Sequence, residues 1–355
     1  MIKILTVIGA RPQFIKAANF SRFLKHKTDF VQETIVHTGQ HYDNKMSNVF
    51  FEELEIPPPK YNLSIGGLSH GEMTGKMIEA IEKVVYKEGP DWMLVYGDTN
   101  STLAATIVSS KMSIKLAHVE AGLRSFNMKM PEEVNRILTD RVSNLLFCPT
   151  KLAVENLVRE GSHISNFQKI INSGDIMYEG ALYYKNRSYP PPEINNKRDF
   201  IVATIHRQET TASPKKLTSV LEALDEINQT TEVIMPIHPR TLKVINQTGI
   251  KTSIRLNDPV SYLNMVWLIQ NSTAIITDSG GLQKEAYFFN KKCITLREET
   301  EWVELINSKN NLLVGLKKEK IINAYKELTP FKTTKTEVYG DGNTSSIIYR
   351  EIINY

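Results

Sequence analysis

The sequence predicts an α/β protein with two doubly wound parallel-sheet domains that face a cleft. Three observations support this fold class. The chain has 355 residues, more than one ordinary hydrophobic core holds. Short runs of Val, Ile and Leu alternate with longer helical patterns along its length. Most of these runs lack strict alternation, which is typical of parallel strands covered by helices on both faces.

Each half of the chain carries about five predicted strands. In the first half the apolar runs predict strands at 2–8, 34–37, 92–96, 116–119 and 145–148. In the second half they predict strands at 200–205, 233–237, 253–256, 274–277 and 293–296. Patterns with helical spacing predict helices at 103–111, 132–143, 217–227 and 344–355.

A proline-rich stretch marks the predicted boundary between the halves. The run 190–192 is three prolines, and the polar run 195–198 follows it, which indicates an irregular connection. We expect an N-terminal domain at 1–170, a connection at 171–198, a C-terminal domain at 199–340 and a terminal helix at 341–355.

Composition excludes several classes of protein. The 43 basic residues are spread among 39 acidic ones, so the net charge of +4 predicts no nucleic-acid surface but suits an anionic small molecule. The two cysteines, Cys148 and Cys293, lie in apolar runs and are interpreted as buried reduced thiols. The first apolar run, 2–8, is too short to span a membrane and lacks a signal-peptide pattern. We therefore expect a cytoplasmic protein with no membrane partner.

Polar residues follow several predicted strands, at the sheet edge where ligands bind in this fold class. Arg11 and Lys16 follow the first strand and are candidates for an anion site, although both could be surface cations. Asp98 follows the strand that ends at Tyr96 and could simply cap the next helix.

Two further carboxylates belong to the same predicted edge. His118 and Glu120 lie two residues apart at the end of one strand, so the strand period puts them on one face. Glu132 and Glu133 open the helix after Pro131, where helix capping alone would explain them. Carboxylates that meet, as Asp98, Glu120 and Glu132 would, raise at least one pKa, as a general acid or base requires. A divalent-metal site is the competing interpretation.

The second half offers a complementary set of residues. Two strands end in His206 and His238. The run 279–281, Ser-Gly-Gly, begins a helix whose free N–H groups suit a diphosphate. Glu285, on the first turns of that helix, is placed to accept the hydroxyls of a ribose.

Together these motifs resemble the non-hydrolysing UDP-N-acetylglucosamine 2-epimerases. They run in family order from residue 9 to residue 343, and they include the site residues described above. The matching segments are 9–16 (GARPQFIK), 37–41 (HTGQH), 97–101 (GDTNS), 118–124 (HVEAGLR), 131–136 (PEEVNR), 206–207 (HR), 238–239 (HP), 278–285 (DSGGLQKE) and 340–343 (GDGN).

The resemblance implies a fold, a reaction and roles for matching residues. The fold is the arrangement of two Rossmann-like domains found in B-type glycosyltransferases. The reaction is anti elimination of UDP to a 2-acetamidoglucal followed by syn re-addition, with no nicotinamide and no obligatory metal. The implied catalytic residues are Asp98, Glu120, Glu132 and His206. The implied substrate-binding residues are Arg11, Lys16, Gln40, His41, His238, Ser279, Gly280, Gly281 and Glu285. A UDP-sugar substrate and a homodimer are also implied.

Departures from the family pattern bear on the substrate. After the second domain's strand the common UDP-N-acetylglucosamine enzymes carry an arginine, and here the run 300–304 reads Thr-Glu-Trp-Val-Glu. That run and the segments 122–130 and 70–75 look more like the branch that acts on UDP-2,3-diacetamido-2,3-dideoxyglucuronate. Trp302 could equally be a packing residue. A hydrolysing 2-epimerase and a B-type glycosyltransferase are the remaining alternatives.

Overall fold

The chain is described by a computed structural model. It describes residues 1–40, 53–162, 166–194, 199–328 and 338–355. Two compact units are present: unit 1 comprises Met1–Leu182 with Glu337–Tyr355, and unit 2 comprises Tyr183–Thr336.

Unit 1 is built on a parallel sheet of seven strands in the order β3-β2-β1-β4-β5-β6-β7. Its strands are β1 (Ile2–Ile8), β2 (Val31–His37), β3 (Tyr61–Asn62), β4 (Trp92–Tyr96), β5 (Lys115–Val119), β6 (Leu145–Cys148) and β7 (Lys169–Asn172). Its helices are α1 (Arg11–Leu24), α2 (His70–Glu88), α3 (Asn100–Lys111), α4 (Pro131–Val142), α5 (Lys151–Arg159), α6 (Ile176–Tyr184, which runs into unit 2) and α14 (Thr344–Ile353).

Unit 2 repeats the plan with a parallel sheet of six strands in the order β10-β9-β8-β11-β12-β13. Its strands are β8 (Phe200–Thr204), β9 (Glu232–Pro236), β10 (Arg255–Asn257), β11 (Ala274–Thr277), β12 (Lys292–Thr295) and β13 (Asn311–Leu313). Its helices are α7 (Gln208–Thr211), α8 (Pro214–Asn228), α9 (Pro239–Thr248), α10 (Tyr262–Asn271), α11 (Gly280–Phe288), α12 (Val303–Asn307) and α13 (Lys318–Lys326).

In both parallel sheets the strand order reverses in the middle, and this reversal decides where a ligand can bind. The strand order turns between β1 and β4 in unit 1 and between β8 and β11 in unit 2. Loops at the carboxyl ends of the strands beside such a switch point diverge and leave room for a ligand. The predicted α/β class with two doubly wound parallel sheets is confirmed.

The central strands form the cores that their continuous apolar sequences predict. All five residues of β4 are buried, and Cys148 and Cys293 are buried free thiols. The expectation of about five strands per half was too low, because β3, β7 and β13 were missed. These short edge strands are only partly buried, so their sequences lack a continuous apolar run.

The chain between the units contains more regular structure than expected. Helix α6 occupies part of the predicted connection 171–198, and Ile176, Met177 and Ala181 on it are buried. The polar run 195–198 lies outside the described residues. Helix α14 belongs to unit 1, where Glu179 accepts a hydrogen bond from the Ser345 amide at 2.8 Å. No helix among the described residues is long and apolar enough to cross a membrane.

Candidate active site

Asp98 is the second residue after the end of β4, beside the switch point of unit 1. Its Oδ2 accepts a hydrogen bond from Arg136 Nη2 at 2.6 Å, and its backbone carbonyl accepts one from Asn135 Nδ2 at 2.9 Å. Burial raises the pKa of Asp98; Arg136 opposes this, and Glu120 and Glu132 add to it. A carboxyl group with a raised pKa is suited to exchanging protons near neutral pH.

Glu120 lies just beyond β5 and forms a buried ion pair. Its Oε1 lies 2.5 Å from Lys16 Nζ, and the two side chains are 9% and 6% exposed. The backbone of Glu120 is left-handed (φ 76°), a conformation that costs a non-glycine residue energy and recurs at functional sites. Its amide donates to the Phe147 carbonyl at 3.1 Å, which fixes this conformation.

Gly97 separates Asp98 from β4 and passes close to this ion pair. A Cβ at position 97 would lie 3.2 Å from Lys16 Nζ and 3.4 Å from Glu120 Oε1, and φ is +61°. Glycine therefore lets the backbone turn beside the pair without displacing either charge.

The two acidic residues at the start of α4 have different surroundings. Glu133 is buried and accepts hydrogen bonds at 2.9 Å from the amides of Ser125 and Phe126 and from the Ser125 hydroxyl. Glu132 is exposed, and its charge reaches Asp98. Helix capping predicted the same role for both residues. In the structure Glu133 binds the loop at Ser125 and Phe126, whereas Glu132 is exposed to solvent.

Asp98 thus interacts electrostatically with both Glu120 and Glu132. These three carboxylates were predicted to meet, and their catalytic roles stay a prediction. Among the described residues, no three His, Cys, Asp or Glu side chains form a group that could hold a metal ion.

The loop after β1 is tied to the Asp98 loop by Gln13. The Gln13 Oε1 accepts hydrogen bonds from the amides of Gly9 and Ala10, and its Nε2 donates to the Tyr96 carbonyl at 2.9 Å. Arg11 begins α1 and is partly exposed. Lys16 pairs with Glu120, and its expected contact with the nucleotide sugar stays a prediction.

Gln40 and His41 follow β2 in sequence. The Gln40 Oε1 accepts hydrogen bonds from the Ser101 amide at 3.0 Å and the Ser101 hydroxyl at 2.8 Å, at the start of α3. Gln40 therefore lies beside the Asp98 loop. His41 lies outside the described residues.

In unit 2, His206 and Asp278 form a pair across the switch point. His206 follows β8 and Asp278 follows β11. The His206 Nδ1 lies 2.8 Å from Asp278 Oδ1, and the amides of His206 and Arg207 donate to the same carboxylate at 3.0 to 3.1 Å. Asp278 is fully buried, whereas the His206 side chain is 40% exposed. His206 was predicted to be a site residue from the sequence, whereas Asp278 was assigned no role.

The carboxylate fixes which nitrogen of His206 is available. Burial raises the pKa of Asp278, but the hydrogen bonds from His206 and the backbone amides outweigh burial, and the net pKa is lowered. The ionised carboxylate accepts a hydrogen bond from Nδ1, which leaves Nε2 as the other ring nitrogen of a partly exposed side chain. The His238 ring lies 6.2 Å from the His206 ring, and its Nδ1 accepts from the Arg240 amide at the start of α9.

The Ser-Gly-Gly segment begins α11 directly after Asp278. Ser279 caps the helix through a hydrogen bond from the Leu282 amide, and Glu285 is buried one turn further on. A Cβ at Gly280 would lie 2.5 Å from Glu301 Oε1, so a larger residue here would displace the Glu301 side chain. Gly281 is the next residue of the same turn.

Trp302 is a packing residue in unit 2. Its side chain is 3% exposed, and Lys284 Nζ lies 4.1 Å from the centre of its ring. The buried ammonium group over the ring face is a cation–π contact. Burial and this contact give Trp302 a packing role.

Residues 24–353 match the family model of UDP-N-acetylglucosamine 2-epimerase. The chain is 50% identical to UDP-2,3-diacetamido-2,3-dideoxy-D-glucuronate 2-epimerase of Pseudomonas aeruginosa, over 98% of each chain. It is 46% identical to a UDP-N-acetylglucosamine 2-epimerase homolog of Methanococcus maripaludis, over 99% of this chain and 100% of the other.

A solved structure agrees over the whole length. The crystal structure of Methanocaldococcus jannaschii UDP-GlcNAc 2-epimerase in complex with UDP-GlcNAc and UDP is 38% identical and covers 100% of both chains, with a TM-score of 0.91. Sequence and structure therefore agree with the resemblance seen in the motifs, and the chain belongs to the UDP-N-acetylglucosamine 2-epimerase family.

Proposed function

We propose that this enzyme inverts C2 of a UDP-linked 2-acetamido sugar by eliminating UDP and adding it back. The observation that carries the proposal is the Asp98 carboxyl group, whose raised pKa reflects burial beside Glu120 and Glu132. Membership of the 2-epimerase family supplies the reaction class. The geometry supplies groups that can move a proton at C2.

The chemistry needs a proton acceptor and a leaving group together. A C2–H bond is weakly acidic, so its removal is coupled to cleavage of the C1–O bond. The C–H electron pair becomes the C1=C2 double bond, and the C1–O pair departs with UDP. Re-addition returns UDP to C1 and a proton to the opposite face of C2. Inversion thus requires positioned groups on both faces, which one carboxylate cannot supply.

Unit 1 provides carboxylates suited to these two tasks. Glu120, held beside the Lys16 ammonium group, is the proposed proton acceptor. Asp98, with its raised pKa and its contact to Arg136, is the proposed group that holds and returns a proton. Glu132, exposed at the first turn of α4, is the third proposed acid–base group.

Unit 2 provides groups suited to the departing nucleotide. The turn at Ser279, Gly280 and Gly281 presents N–H groups at the N-terminus of α11, where negative charge is stabilised. The proposed role of Glu285 is to accept the ribose hydroxyls. The proposed role of His206, whose ring is oriented by Asp278, is to exchange a proton through Nε2.

The first candidate substrate is UDP-2,3-diacetamido-2,3-dideoxy-D-glucuronate. The support is the 50% identity to the Pseudomonas aeruginosa enzyme named for it. UDP-N-acetylglucosamine is the second candidate, supported by the Methanocaldococcus jannaschii complex. The family resemblance further supports a homodimer, a cytoplasmic location and a role in making a precursor of a surface polysaccharide. Sedimentation of the purified chain tests the dimer.

Incubation of each candidate with the enzyme in D₂O, without an acceptor, tests the reaction. We expect NMR to show deuterium at C2 and a mixture of C2 epimers with the UDP linkage intact. Free sugar would indicate a hydrolysing enzyme. Absence of C2 exchange with both candidates would contradict the proposal.

Carboxylate variants test the assignment of roles. We expect D98N, E120Q and E132Q each to lower kcat by at least about 10²-fold, because each removes a positioned proton-transfer group. The matched control is E79Q, since Glu79 is exposed on α2 and pairs with the exposed Lys83. A variant within a few-fold of the wild-type rate would remove that residue from the mechanism.

A further inference from the structure

His118 on β5 is a buried histidine to which the proposed reaction gives no task. Its side chain is 0% exposed. The Nε2 atom lies 2.8 Å from the backbone carbonyl oxygen of Gly97, and Nδ1 lies 2.7 Å from Asp140 Oδ1. A carbonyl oxygen only accepts hydrogen bonds, so Nε2 carries a proton.

Asp140 on α4 is also an acceptor. Its Oδ2 accepts hydrogen bonds from Arg124 Nη1 at 2.7 Å and from the Gly122 amide at 3.1 Å. Burial raises the pKa of Asp140, but the hydrogen bond and charge of His118, with Arg124, outweigh burial and leave the pKa lowered. An ionised carboxylate has no proton to donate. Both nitrogens of the His118 ring therefore face acceptors, an arrangement that favours the doubly protonated imidazolium form.

A buried cation persists here because its charges balance. Arg124 pairs with Asp140 and also forms two hydrogen bonds of 2.7 Å with Glu160. The four groups are two cations and two anions, and the side chains of His118, Asp140 and Arg124 are at most 1% exposed. A paired, hydrogen-bonded set of this kind offsets the cost of removing charges from water.

This network holds both loops that carry the proposed acid–base groups. The His118 ring binds the carbonyl of Gly97, and the next residue is Asp98. Asp140, bound to the same ring, accepts the amide of Gly122, two residues after Glu120. The loops after β4 and β5 are thus connected through one imidazolium ring. Proton transfer depends on the placement of the carboxylates, and a displacement of about 1 Å can cost about 10²-fold in rate.

We propose that His118, kept doubly protonated by Asp140, is the positioning residue that aligns Asp98 and Glu120 for the reaction. The expected effect of His118 on the reaction rate rests on the proposed function. The protonation state of His118 rests on its hydrogen bonds alone. His118 does not touch the substrate in this account. It acts through the Gly97 carbonyl and the Gly122 amide.

Two substitutions separate alignment from simple stability. The asparagine amide of H118N reaches the position of Nδ1, so it keeps a donor to Asp140 and loses the bond to Gly97. The glutamine amide of H118Q reaches the position of Nε2, so it keeps a donor to Gly97. The matched control is H26N, because His26 is exposed at the end of α1. All three are compared by kcat, KM and melting temperature.

We expect H118N to lower kcat by about 10²-fold and to change KM by less than about 3-fold, because alignment and not binding is lost. H118Q should retain about 10-fold more activity than H118N, whichever of the two is less stable. The proposal is overturned if H118N has wild-type kcat, if the loss lies only in KM, or if activity falls in parallel with melting temperature.

Nitrogen-15 NMR of the histidine-labelled wild-type enzyme tests the protonation state without any variant. We expect one ring, absent from the spectrum of either folded variant, with protons on both nitrogens at the pH of the activity assay. If neither variant folds, the expected result is one doubly protonated ring that is protected from solvent exchange. A neutral ring, or no such ring, overturns the proposal. The readout needs no substrate, so it stands even if the proposed reaction is not observed.

Discussion

The two units each contain a histidine bound to a buried aspartate, and the two pairs leave different atoms available. In unit 1 both nitrogens of His118 are bound, to Asp140 and to the Gly97 carbonyl, and the side chain is fully buried. In unit 2, within the described part of the chain, Nδ1 of His206 is bound to Asp278 while Nε2 has no hydrogen bond, and the side chain is 40% exposed. The same two residue types therefore connect two loops in one unit and leave one ring nitrogen accessible in the other.

The difference lies in what the second nitrogen meets. His118 lies within β5, where the neighbouring strand brings the Gly97 carbonyl against its ring. His206 lies beyond the end of β8, where the sheet's switch point leaves the ring edge open. An aspartate–histidine pair is thus evidence of catalysis only when one ring nitrogen remains accessible.

The largest expected effect is that of H206N. Asparagine cannot supply the accessible Nε2, so kcat should fall by about 10²- to 10⁴-fold. Melting temperature should change little, because the side chain is partly exposed and its removal leaves no buried cavity. Steady-state kinetics and thermal unfolding measure the two quantities. An active H206N enzyme would place His206 outside the mechanism and break the comparison.

D140N should lower stability as well as disturb the alignment of the two loops. The substitution leaves the His118 and Arg124 charges buried without their carboxylate, which we expect to lower the unfolding free energy of unit 1 by about 3 to 5 kcal/mol. Hydrogen exchange of the β5 amides reports this unit separately from unit 2. A change confined to activity, with unaltered exchange, would contradict the structural role of the pair.

The same variant has a defined pH dependence. The pKa of Asp140 is lowered in the folded protein, so its contribution to stability is present above the unfolded value of about 3.9 and is lost as the pH falls through the folded value. The difference in unfolding free energy between wild type and D140N should therefore be largest near neutral pH and become smaller in acid. A difference that grows in acid would contradict the assigned ionisation.

D278N should lower kcat by about 10²-fold through His206 while leaving UDP affinity within a few-fold. The asparagine oxygen can still accept the backbone amides of His206 and Arg207, so the loop is retained. In the H206N background the same substitution should cost little further rate, because both changes act through one ring. Calorimetric titration with UDP is the folding control. Additive losses in the double variant would show that Asp278 acts independently of His206.

The smallest effect is expected for E160Q. The Glu160 side chain is 27% exposed and lies at the outer end of the unit 1 network, so solvent screens its ion pair with Arg124. We expect a loss of about 1 kcal/mol in unfolding free energy and a nearly unchanged kcat. Hydrogen exchange measures the change in unfolding free energy, and steady-state kinetics measure kcat. A loss of rate as large as that of H118N would extend the aligning network to the protein surface.

The central strands and the loop positions could be predicted from the sequence. Continuous apolar runs identified the buried strands, and the polar residues after them, Asp98 and Glu120, were found because ligands bind at that edge of a parallel sheet. Edge strands such as β3 were not predictable, since two residues, one partly buried and one exposed, carry too short a pattern.

The partners of the site residues could not be predicted. Lys16 and Glu120 are 104 residues apart, and His118 and Asp140 are 22 residues apart on different elements. The sequence made Lys16 a candidate for an anion site but did not reveal its pairing with Glu120, because strand–helix packing decides which charges meet. Asp278 was visible in a motif, but its role depends on β8 and β11 being neighbours, which is a property of the sheet.

The central claim is that C2 inversion proceeds through cleavage of the C1–O bond. The most direct measurement uses substrate with ¹⁸O in the oxygen that bridges C1 and the β-phosphate, incubated in D₂O and followed by NMR. The account predicts that ¹⁸O moves to non-bridging positions of the β-phosphate while deuterium enters C2 and no free sugar forms. Deuterium at C2 with all ¹⁸O retained in the bridge would contradict it.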